Sequence, residues 1–333
     1  MKLLILGGTE FVGRAVAEAA MALNWDVTVF HRGRHPAPEG VRVLIGDREA
    51  PDGLAALAAA PDRWDLVVDT WGFAPKAVRE SARLLADRAE RYVYVSTRSV
   101  YSWPVTPGLG EEHPVVEGDP GADSVDYAPD KRGAELAVLE SFGDRAVLAR
   151  AGLILGPYEN VGRLAWWLER VSRGGPTLAP GRPDQPLQYI DVRDLADWIL
   201  TAGPKVAGGP YDLVGPHGHA TMGQFLDACA EATGARPEWR WIGPEAIAAA
   251  GIEPWTELPI WLPEGELADG MFGADVTRAL DSGLSCRSIG ETVADTWAWM
   301  RSLPGPPPQR PDRPRKGVPA EREAALLAEH AAG

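Results

Sequence analysis

The stretch MKLLILGGTEFVGR, residues 1–14, decides the fold of this chain. Residues 2–6 form a short apolar run, which is typical of a buried parallel strand. Gly7 and Gly8 then permit a tight turn, and Gly13 lets the helix that follows pack closely against the strand. The first N–H groups of this helix point over the turn, where the helix dipole favours an anion. The stretch therefore predicts a strand, a glycine turn and a helix that together bind a phosphate group.

The composition limits the class of protein. The chain has 333 residues, with 33 basic and 47 acidic side chains, and its formal net charge is -14. This charge argues against a nucleic-acid partner and against an anionic membrane surface. Two cysteines are too few for a disulfide framework or a zinc site of the usual spacing, so no metal is expected. The chain opens directly on a strand and has no long apolar run, which predicts a cytoplasmic protein without a signal peptide or membrane span.

Strands and helices alternate along the first half of the sequence at the spacing of a doubly wound parallel sheet. The predicted fold class is therefore α/β, of the Rossmann type, with a smaller and mostly C-terminal substrate lobe. Ligands of such sheets bind at the carboxyl ends of the strands. The residues that we expect at those ends are Gly7, His31, Asp47, Thr70, Trp71 and Thr97. The predicted strands after the glycine turn cover residues 26–30, 41–45, 66–70, 91–96, 147–154 and 211–214.

Tyr127 and Lys131 form the most informative pair of residues in the middle of the chain. Residues four apart on a helix share one face, and Pro129 is acceptable where a helix begins. A phenol has a pKa of about 10, and a neighbouring ammonium lowers it by favouring the phenolate. Such a pair can pass a proton to an oxygen whose carbon receives a hydride, or remove the proton in the reverse direction. The spacing alone also fits two surface residues, so its meaning depends on the other motifs.

Four motifs follow one another: the glycine turn, Asp47 after the third strand, Thr97 after the fifth strand, and Tyr127-x-x-x-Lys131. Together they make the chain resemble the extended short-chain dehydrogenase/reductase superfamily, which includes NAD-dependent epimerases and dehydratases, over about residues 1–300. The resemblance implies that Thr97 polarises the substrate oxygen and that Tyr127 is the general acid and base. It also implies that Lys131 assists Tyr127 and binds the cofactor ribose. The implied activity is that of an NAD(P)-dependent oxidoreductase acting on a carbonyl or a secondary alcohol.

The end of the second predicted strand bears on the choice of cofactor. Enzymes of this fold that use NAD usually place an acidic residue there, which accepts hydrogen bonds from the ribose 2′-hydroxyl. This chain has two arginines instead, and a guanidinium binds a 2′-phosphate through charge-assisted contacts. We therefore expect NADP to be preferred, with NAD as the alternative. The residues expected to bind the cofactor are Gly7, Gly8, Thr9, Phe11, Val12, Gly13, His31, Arg32, Arg34, Asp47, Arg48, Thr70, Trp71, Tyr127 and Lys131.

The glycine turn departs from one similar branch of the superfamily at Glu10. That branch includes the chloroplast stem-loop-binding proteins, and the chain resembles it in GGTEFVGR, residues 7–14, and in TELPIWLP, residues 256–263. The branch often has arginine at the position of Glu10. Because a carboxylate facing a pyrophosphate is unfavourable, we expect Glu10 to point outward.

Three parts are predicted along the chain. Residues 1–158 form the dinucleotide-binding domain, residues 159–302 form the substrate lobe with segments that return to the first domain, and residues 303–333 form a proline-rich linker and a C-terminal helix. Aromatic side chains in such a lobe either fill gaps in its core or line a ligand cleft. The residues proposed to contact substrate are Trp71, Arg98, Ser99, Trp166, Trp167 and Trp261.

Two alternatives stand beside the reductase. An epimerase or dehydratase acting on a sugar nucleotide would need cations for a diphosphate, for which Arg163, Arg170 and Arg173 are candidates. The other alternative is a non-catalytic cofactor- or RNA-binding relative, which the acidic charge and the intact catalytic set both oppose. The expected partner is a small-molecule substrate, and a homodimer is expected by analogy with relatives.

Overall fold

A central parallel sheet organises the computed structural model, which describes residues 1–108 and 110–330. In chain order the strands are β1 (Lys2–Leu6), β2 (Asp26–His31), β3 (Arg42–Ile45), β4 (Trp64–Asp69), β5 (Ala89–Thr97), β6 (Ala146–Ala151), β7 (Leu153–Leu155), β8 (Gly175–Pro180), β9 (Pro186–Leu187), β10 (Tyr189–Asp191), β11 (Gly209–Leu213), β12 (Ala220–Thr221) and β13 (Pro237–Ile242). The central sheet has the order β3-β2-β1-β4-β5-β6-β11, and all its neighbouring strands are parallel. The winding reverses between β1 and β4, which places the expected ligand crevice at the carboxyl ends of these two strands.

Helices cover both faces of this sheet. In chain order the helices are α1 (Phe11–Ala22), α2 (Ala55–Ala59), α3 (Pro75–Leu85), α4 (Tyr127–Phe142), α5 (Arg163–Ser172), α6 (Val192–Thr201), α7 (Met222–Thr233), α8 (Pro244–Ala249), α9 (Glu266–Phe272), α10 (Thr277–Asp281), α11 (Ile289–Ser302) and α12 (Ala320–Glu329). Helices α1 and α6 pack together on one face, and α3 and α4 pack together on the other. The predicted doubly wound α/β fold is confirmed.

Side chains alternate along each strand between the two faces of the sheet, and each face carries one buried apolar layer. On β1, Leu3 and Ile5 belong to the apolar cluster beneath α1 and α6, whereas Leu4 and Leu6 belong to the cluster beneath α3 and α4. All four side chains are at most 2% exposed. A strand buried on both faces needs apolar residues at every buried position, which is why residues 3–6 are an uninterrupted apolar run.

The chain leaves the central sheet at Gly152. The sequence predicted one strand over 147–154, but the structure has two, because β6 pairs with β11 and β7 pairs with β10. A Cβ added at Gly152 would lie 2.7 Å from the Cγ2 atom of Val214, so only glycine lets the chain pass here without displacing that side chain. After this break, the chain leaves the central sheet and enters the second lobe.

The second lobe has its own apolar core, formed mainly by α5, α7, α11 and the small parallel sheet β8–β13. Its largest buried side chains include Trp167, Phe225 and Trp261. The division of the chain at residues 158 and 302 stays a prediction, and β11 is a segment beyond residue 158 that lies in the central sheet. None of the helices in the described part of the chain combines the length and the apolar character that a membrane span requires.

The C-terminal residues return to this lobe. The predicted helix over 319–331 is observed as α12, whose Leu326 is buried in the lobe core. Residues 303–319, which we call the strap, have no helix or strand but make specific contacts. The main-chain N–H of Arg310 donates to the carbonyl of Asn160 at 2.9 Å, and the N–H of Gly317 donates to the carbonyl of Thr256 at 3.1 Å. The predicted proline-rich linker therefore contacts the second lobe at two points.

Candidate active site

The glycine turn after β1 forms a cradle that side chains would fill. Gly7 and Gly8 have φ values of 121° and 93°, a region that favours glycine. A Cβ at Gly7 would lie 2.4 Å from the Thr70 Oγ1 atom, and one at Gly13 would lie 2.6 Å from the main-chain nitrogen of Gly8. The turn therefore brings the backbone of β1, the start of α1 and the end of β4 close together. The first turn of α1 has no acidic residue and no side-chain cap, so its N–H groups suit the phosphates of a dinucleotide.

Glu10 lies at the start of α1 without facing the turn. Its side chain is 44% exposed, with one oxygen 3.6 Å from His35 Nε2 and the other accepting a hydrogen bond from Asn160 Nδ2 at 3.1 Å. The expectation that this carboxylate points away from a bound pyrophosphate stays a prediction. It lies between the glycine turn and the second lobe.

The end of β2 carries cations at the surface. Arg32 and Arg34 are exposed, and the Arg32 guanidinium lies 5.8 Å from the ring centre of Trp71. His31 accepts a hydrogen bond from the N–H of Gly33 through Nδ1, and its pKa is lowered by burial and by His35. Arg32 thus lies near the carboxyl end of β4 as well as β2.

Lys131 is the most constrained of the predicted catalytic residues. It lies one turn inside α4, is 5% exposed, and donates from Nζ to the carbonyls of Trp71 at 2.6 Å and Val95 at 2.8 Å. Burial lowers its pKa to about 8, against the opposing effect of Asp69 and Glu135. An ammonium has three N–H donors, so one remains beyond these two bonds for a ligand. The two carbonyls belong to the ends of β4 and β5, which places the ammonium at the crevice.

Tyr127 and Thr97 lie at the ends of elements that approach the same crevice. Tyr127 is the first residue of α4, where the Asp126 carboxylate accepts its main-chain N–H at 2.8 Å, and its side chain is 39% exposed. Thr97 ends β5, is 8% exposed, and its Oγ1 accepts the N–H of Ser99 at 3.2 Å. The helix register predicted from Tyr127-x-x-x-Lys131 is confirmed. A ring open to solvent and a buried ammonium on one helical face suit proton transfer to a bound substrate.

Arg48 has a different position from the one expected. It was assigned to the cofactor, but it is 6% exposed and its guanidinium binds both carboxylate oxygens of Asp69, at 2.7 and 2.8 Å. Burial opposes ionisation of Asp69, yet the charge and hydrogen bonds of Arg48 outweigh it and leave the pKa of Asp69 lowered. We therefore infer that Arg48 stabilises the end of β4 and does not bind the cofactor. Asp47 is half-buried and accepts the main-chain N–H of Glu49 at 3.2 Å.

Three of the residues expected to contact substrate lie inside the protein. Trp167 and Trp261 are at most 1% exposed, and their indole N–H groups donate to the carbonyl of Pro259 and to the side-chain oxygen of Gln185. Arg98 is 9% exposed and donates to Asp212 at 3.1 Å. We therefore assign these three to the core rather than to the substrate. Trp166 is half-buried, while Ser99 is exposed beside Thr97.

The strap brings cations to the crevice that sequence reasoning missed. The Arg313 guanidinium lies 5.6 Å from the ring centre of Tyr127, and that of Arg310 lies 5.6 Å from the ring centre of Phe73. The available signal was the basic, proline-rich composition of residues 304–316, which did not indicate where the segment lies. Among the described residues, no three histidine, cysteine, aspartate or glutamate side chains are grouped so that they could hold a metal ion.

The glycine cradle, the parallel sheet and the buried lysine define a dinucleotide-binding enzyme fold of the extended short-chain dehydrogenase/reductase type. The model of the NAD dependent epimerase/dehydratase family matches residues 3–214, so the chain belongs to this family. The fold is also that of a Thermus thermophilus UDP-glucose 4-epimerase in complex with NAD, with a TM-score of 0.64 and 21% identity over 91% of this chain and 100% of that one. A Bordetella bronchiseptica enzyme, WbmH, in complex with NAD+ gives the same TM-score at 19% identity, over 91% of this chain and 98% of that one.

The relatives of this chain include a stem-loop binding protein and two reductases. The chain is 25% identical to the chloroplast stem-loop binding protein of 41 kDa b of Arabidopsis thaliana, over 81% of this chain and 77% of that protein. It is 29% identical to the 2'-dehydrokanamycin reductase of Streptomyces kanamyceticus, over 65% of this chain and 62% of that protein. It is also 29% identical to the 2-alkyl-3-oxoalkanoate reductase of Stenotrophomonas maltophilia, over 63% of this chain and 69% of that protein.

Proposed function

We propose that the protein is an NAD(P)-dependent carbonyl reductase, or the corresponding secondary alcohol dehydrogenase in the reverse direction. The observation that carries the proposal is the position of Lys131, which is held by the ends of β4 and β5 on the helix that begins with Tyr127. A buried ammonium costs free energy, and its retention beside a glycine cradle is typical of a functional site. Two relatives are named as reductases, which supports the same direction.

Each residue of the set has one chemical task. The glycine cradle and the start of α1 would hold the pyrophosphate, and Lys131 would bind the ribose with its remaining N–H group. The cofactor, when bound, supplies the hydride. Thr97 donates a hydrogen bond to the carbonyl oxygen as negative charge develops on it. Tyr127 gives its proton to that oxygen, so that the carbonyl is reduced to a hydroxyl and the phenol becomes a phenolate.

We further propose a preference for NADP over NAD. Arg32 and Arg34 are exposed at the end of β2, where an NAD-binding relative would place a carboxylate. A 2′-phosphate lying against these guanidinium groups would form charge-assisted contacts, whereas an acidic residue would repel it.

Net cofactor consumption is the measurement that tests the reaction. A panel of ketones and aldehydes is offered with reduced cofactor, and oxidation of the cofactor is followed by its absorbance. A reductase consumes one cofactor for each carbonyl reduced, whereas an epimerase reduces and reoxidises its cofactor within one turnover and shows no net consumption. Interconversion of a sugar nucleotide without net oxidation would overturn the assignment.

The structure also bears on the alternative functions. Arg170, one candidate for a diphosphate, is bound instead to Glu323 at 2.6 Å inside the lobe, so this residue does not support the epimerase alternative. The Arabidopsis relative is named for stem-loop binding, so a filter-binding titration with a stem-loop RNA at low salt is the matching control. We expect no binding, because the formal charge of -14 repels the phosphate backbone. A cytoplasmic location and a homodimer stay predictions from the sequence.

A further inference from the structure

The strap passes the Tyr127 ring between two points at which its main chain is held. Its main chain is held at Arg310 by Asn160 and at Gly317 by Thr256. Gly317 has φ of 104°, and a Cβ there would lie 1.8 Å from the Nε1 atom of Trp166, so this position is pressed against the lobe. Residues 311–316 lie between the two anchors.

Cations are concentrated along this segment. Arg313 lies over the Tyr127 ring, and Lys316 donates from Nζ to the carbonyl of Trp255 at 3.2 Å. Arg163, at the start of α5, lies 5.8 Å from the ring centre of the same tryptophan, and its Nε atom is buried without a hydrogen-bond partner among the described residues. Lys316 and Arg163 therefore meet at Trp255, and Arg313, from the same strap as Lys316, lies at the ring of the proposed proton donor.

The carboxylates in contact with this region do not balance its charge. Arg310 binds Asp312 at 2.6 Å, and Arg163 approaches the buried Glu159 at 3.6 Å. Glu159 also accepts the main-chain N–H groups of Arg163 and Leu164. The four cations are Arg163, Arg310, Arg313 and Lys316, and the two carboxylates that contact them are Glu159 and Asp312. Four positive and two negative side chains leave an excess of two positive charges in a chain whose formal net charge is -14.

Like charges in this region repel one another. The pKa of Lys316 is lowered first by burial, and then by Arg163 and Arg313, with Glu159 opposing. An anion placed among these groups would relieve the repulsion.

We propose that Arg313 and Lys316 of the strap, with Arg163 of α5, bind a carboxylate or phosphate group of the substrate while its carbonyl lies at Tyr127. The inference rests on the proposed reductase function and deepens it, because it assigns the substrate to the class of anionic carbonyl compounds. These residues position the substrate and take no part in proton or hydride transfer.

Matched pairs of carbonyl probes test this specificity. Dihydroxyacetone phosphate is compared with dihydroxyacetone, and 3-oxobutanoate with its methyl ester, so that each pair differs in the anionic group. We expect the ratio of kcat/KM, anionic over neutral, to fall roughly ten- to hundredfold in Arg313→Gln and Lys316→Gln, through KM rather than kcat. The control Arg315→Gln removes an exposed charge from the same strap and should keep the wild-type ratio. The pair with the larger ratio identifies phosphate or carboxylate as the recognised group.

A binding measurement separates this proposal from the reductase assignment. Inorganic phosphate and acetate are titrated calorimetrically into protein saturated with cofactor, so that the dinucleotide site is filled. Binding that is weakened in Arg313→Gln and Lys316→Gln but not in Arg315→Gln supports the anion site even if none of the four probes is reduced. Binding that is seen in a parallel titration of the cofactor-free protein but not after saturation with cofactor would assign these cations to the dinucleotide and overturn the proposal. So would equal affinity in all four proteins, or the absence of binding in the wild type.

Discussion

The two sides of the candidate active site are built in different ways. The sheet side consists of Thr97, Tyr127 and Lys131, which lie at the end of β5 and in the first two turns of α4. Lys131 is 5% exposed, and its ammonium donates to the carbonyls of Val95 in β5 and of Trp71, which follows β4. The strap side consists of an irregular segment whose Arg313 side chain is 42% exposed. Regular structure positions the proposed reacting groups, and an irregular segment positions the charges around them.

Charge is also handled differently on the two sides. Beneath the sheet side, buried cations have close partners, as in Arg48–Asp69 and Arg150–Glu135. Such pairs stabilise only when both members are present, so they tolerate little substitution. The strap side has more cations than contacting carboxylates, and Arg313 among them lies at the Tyr127 ring. The contrast suggests that sheet-side substitutions change kcat, whereas strap-side substitutions change KM for charged substrates.

Replacing Tyr127 with phenylalanine should have the largest effect. The substitution keeps the ring that packs against Arg313 and removes only the transferable proton, so we expect kcat to fall by roughly 10² to 10⁴. Cofactor affinity, measured by calorimetry, should stay near that of the wild type. A near-normal rate on the best substrate would show that Tyr127 is not the proton donor.

Thr97 offers a matched pair of substitutions. Thr97→Val keeps the shape but cannot donate a hydrogen bond to the carbonyl oxygen, and we expect a loss in kcat of about 10² to 10³. Thr97→Ser keeps the hydroxyl and should retain most of the activity. Equal steady-state rates in the two variants would move the polarising role to another donor, with Ser96 and Ser99 next in line.

A substitution of Arg32 tests its predicted contact with the 2′-phosphate of the cofactor. Arg32→Ala should weaken NADPH binding by roughly ten- to hundredfold, because a charge-assisted contact to the 2′-phosphate is lost. Calorimetric affinity for NADH should not change. Arg63→Ala removes an exposed cation elsewhere on the surface and serves as the control. Tighter binding of NADH than of NADPH by the wild type would contradict the preference for NADP.

The pH dependence of kcat/KM for reduction should reflect the ionisation of Lys131. Its pKa in the folded protein is about 8, below the ordinary value of 10.5, because burial favours the neutral amine. Reduction needs the charged form, so kcat/KM should fall as pH rises through about 8, up to tenfold per pH unit. In Lys131→Arg the side chain stays charged, so kcat/KM should be lower than in the wild type but should not fall over this pH range. An unchanged fall of kcat/KM with pH in this variant would assign the ionisation to another group.

The sequence predicted the regular part of the molecule well because its signals are local. An apolar run with a glycine turn defines β1 and the start of α1, and four-residue spacing places Tyr127 and Lys131 on one helical face. Each of these inferences needs only neighbouring residues.

Positions that depend on distant partners were not predictable in the same way. Arg48 points inward because Asp69, on another strand, receives its guanidinium, and Trp167 is buried because the carbonyl of Pro259 accepts its indole N–H. Nothing near either residue in the chain indicates these partners. The strap is the extreme case, because its prolines predict an extended segment without predicting the surface on which it lies.

The anchoring of the strap has a consequence for protein engineering. Its two fixed points use main-chain groups of Arg310 and Gly317, and its end is secured by the buried Val318. The side chains at positions 310 and 313 are therefore not required to hold the segment in place. A combinatorial library confined to these two codons would alter the rim of the crevice while leaving the scaffold intact, much as hypervariable loops are exchanged on a constant framework.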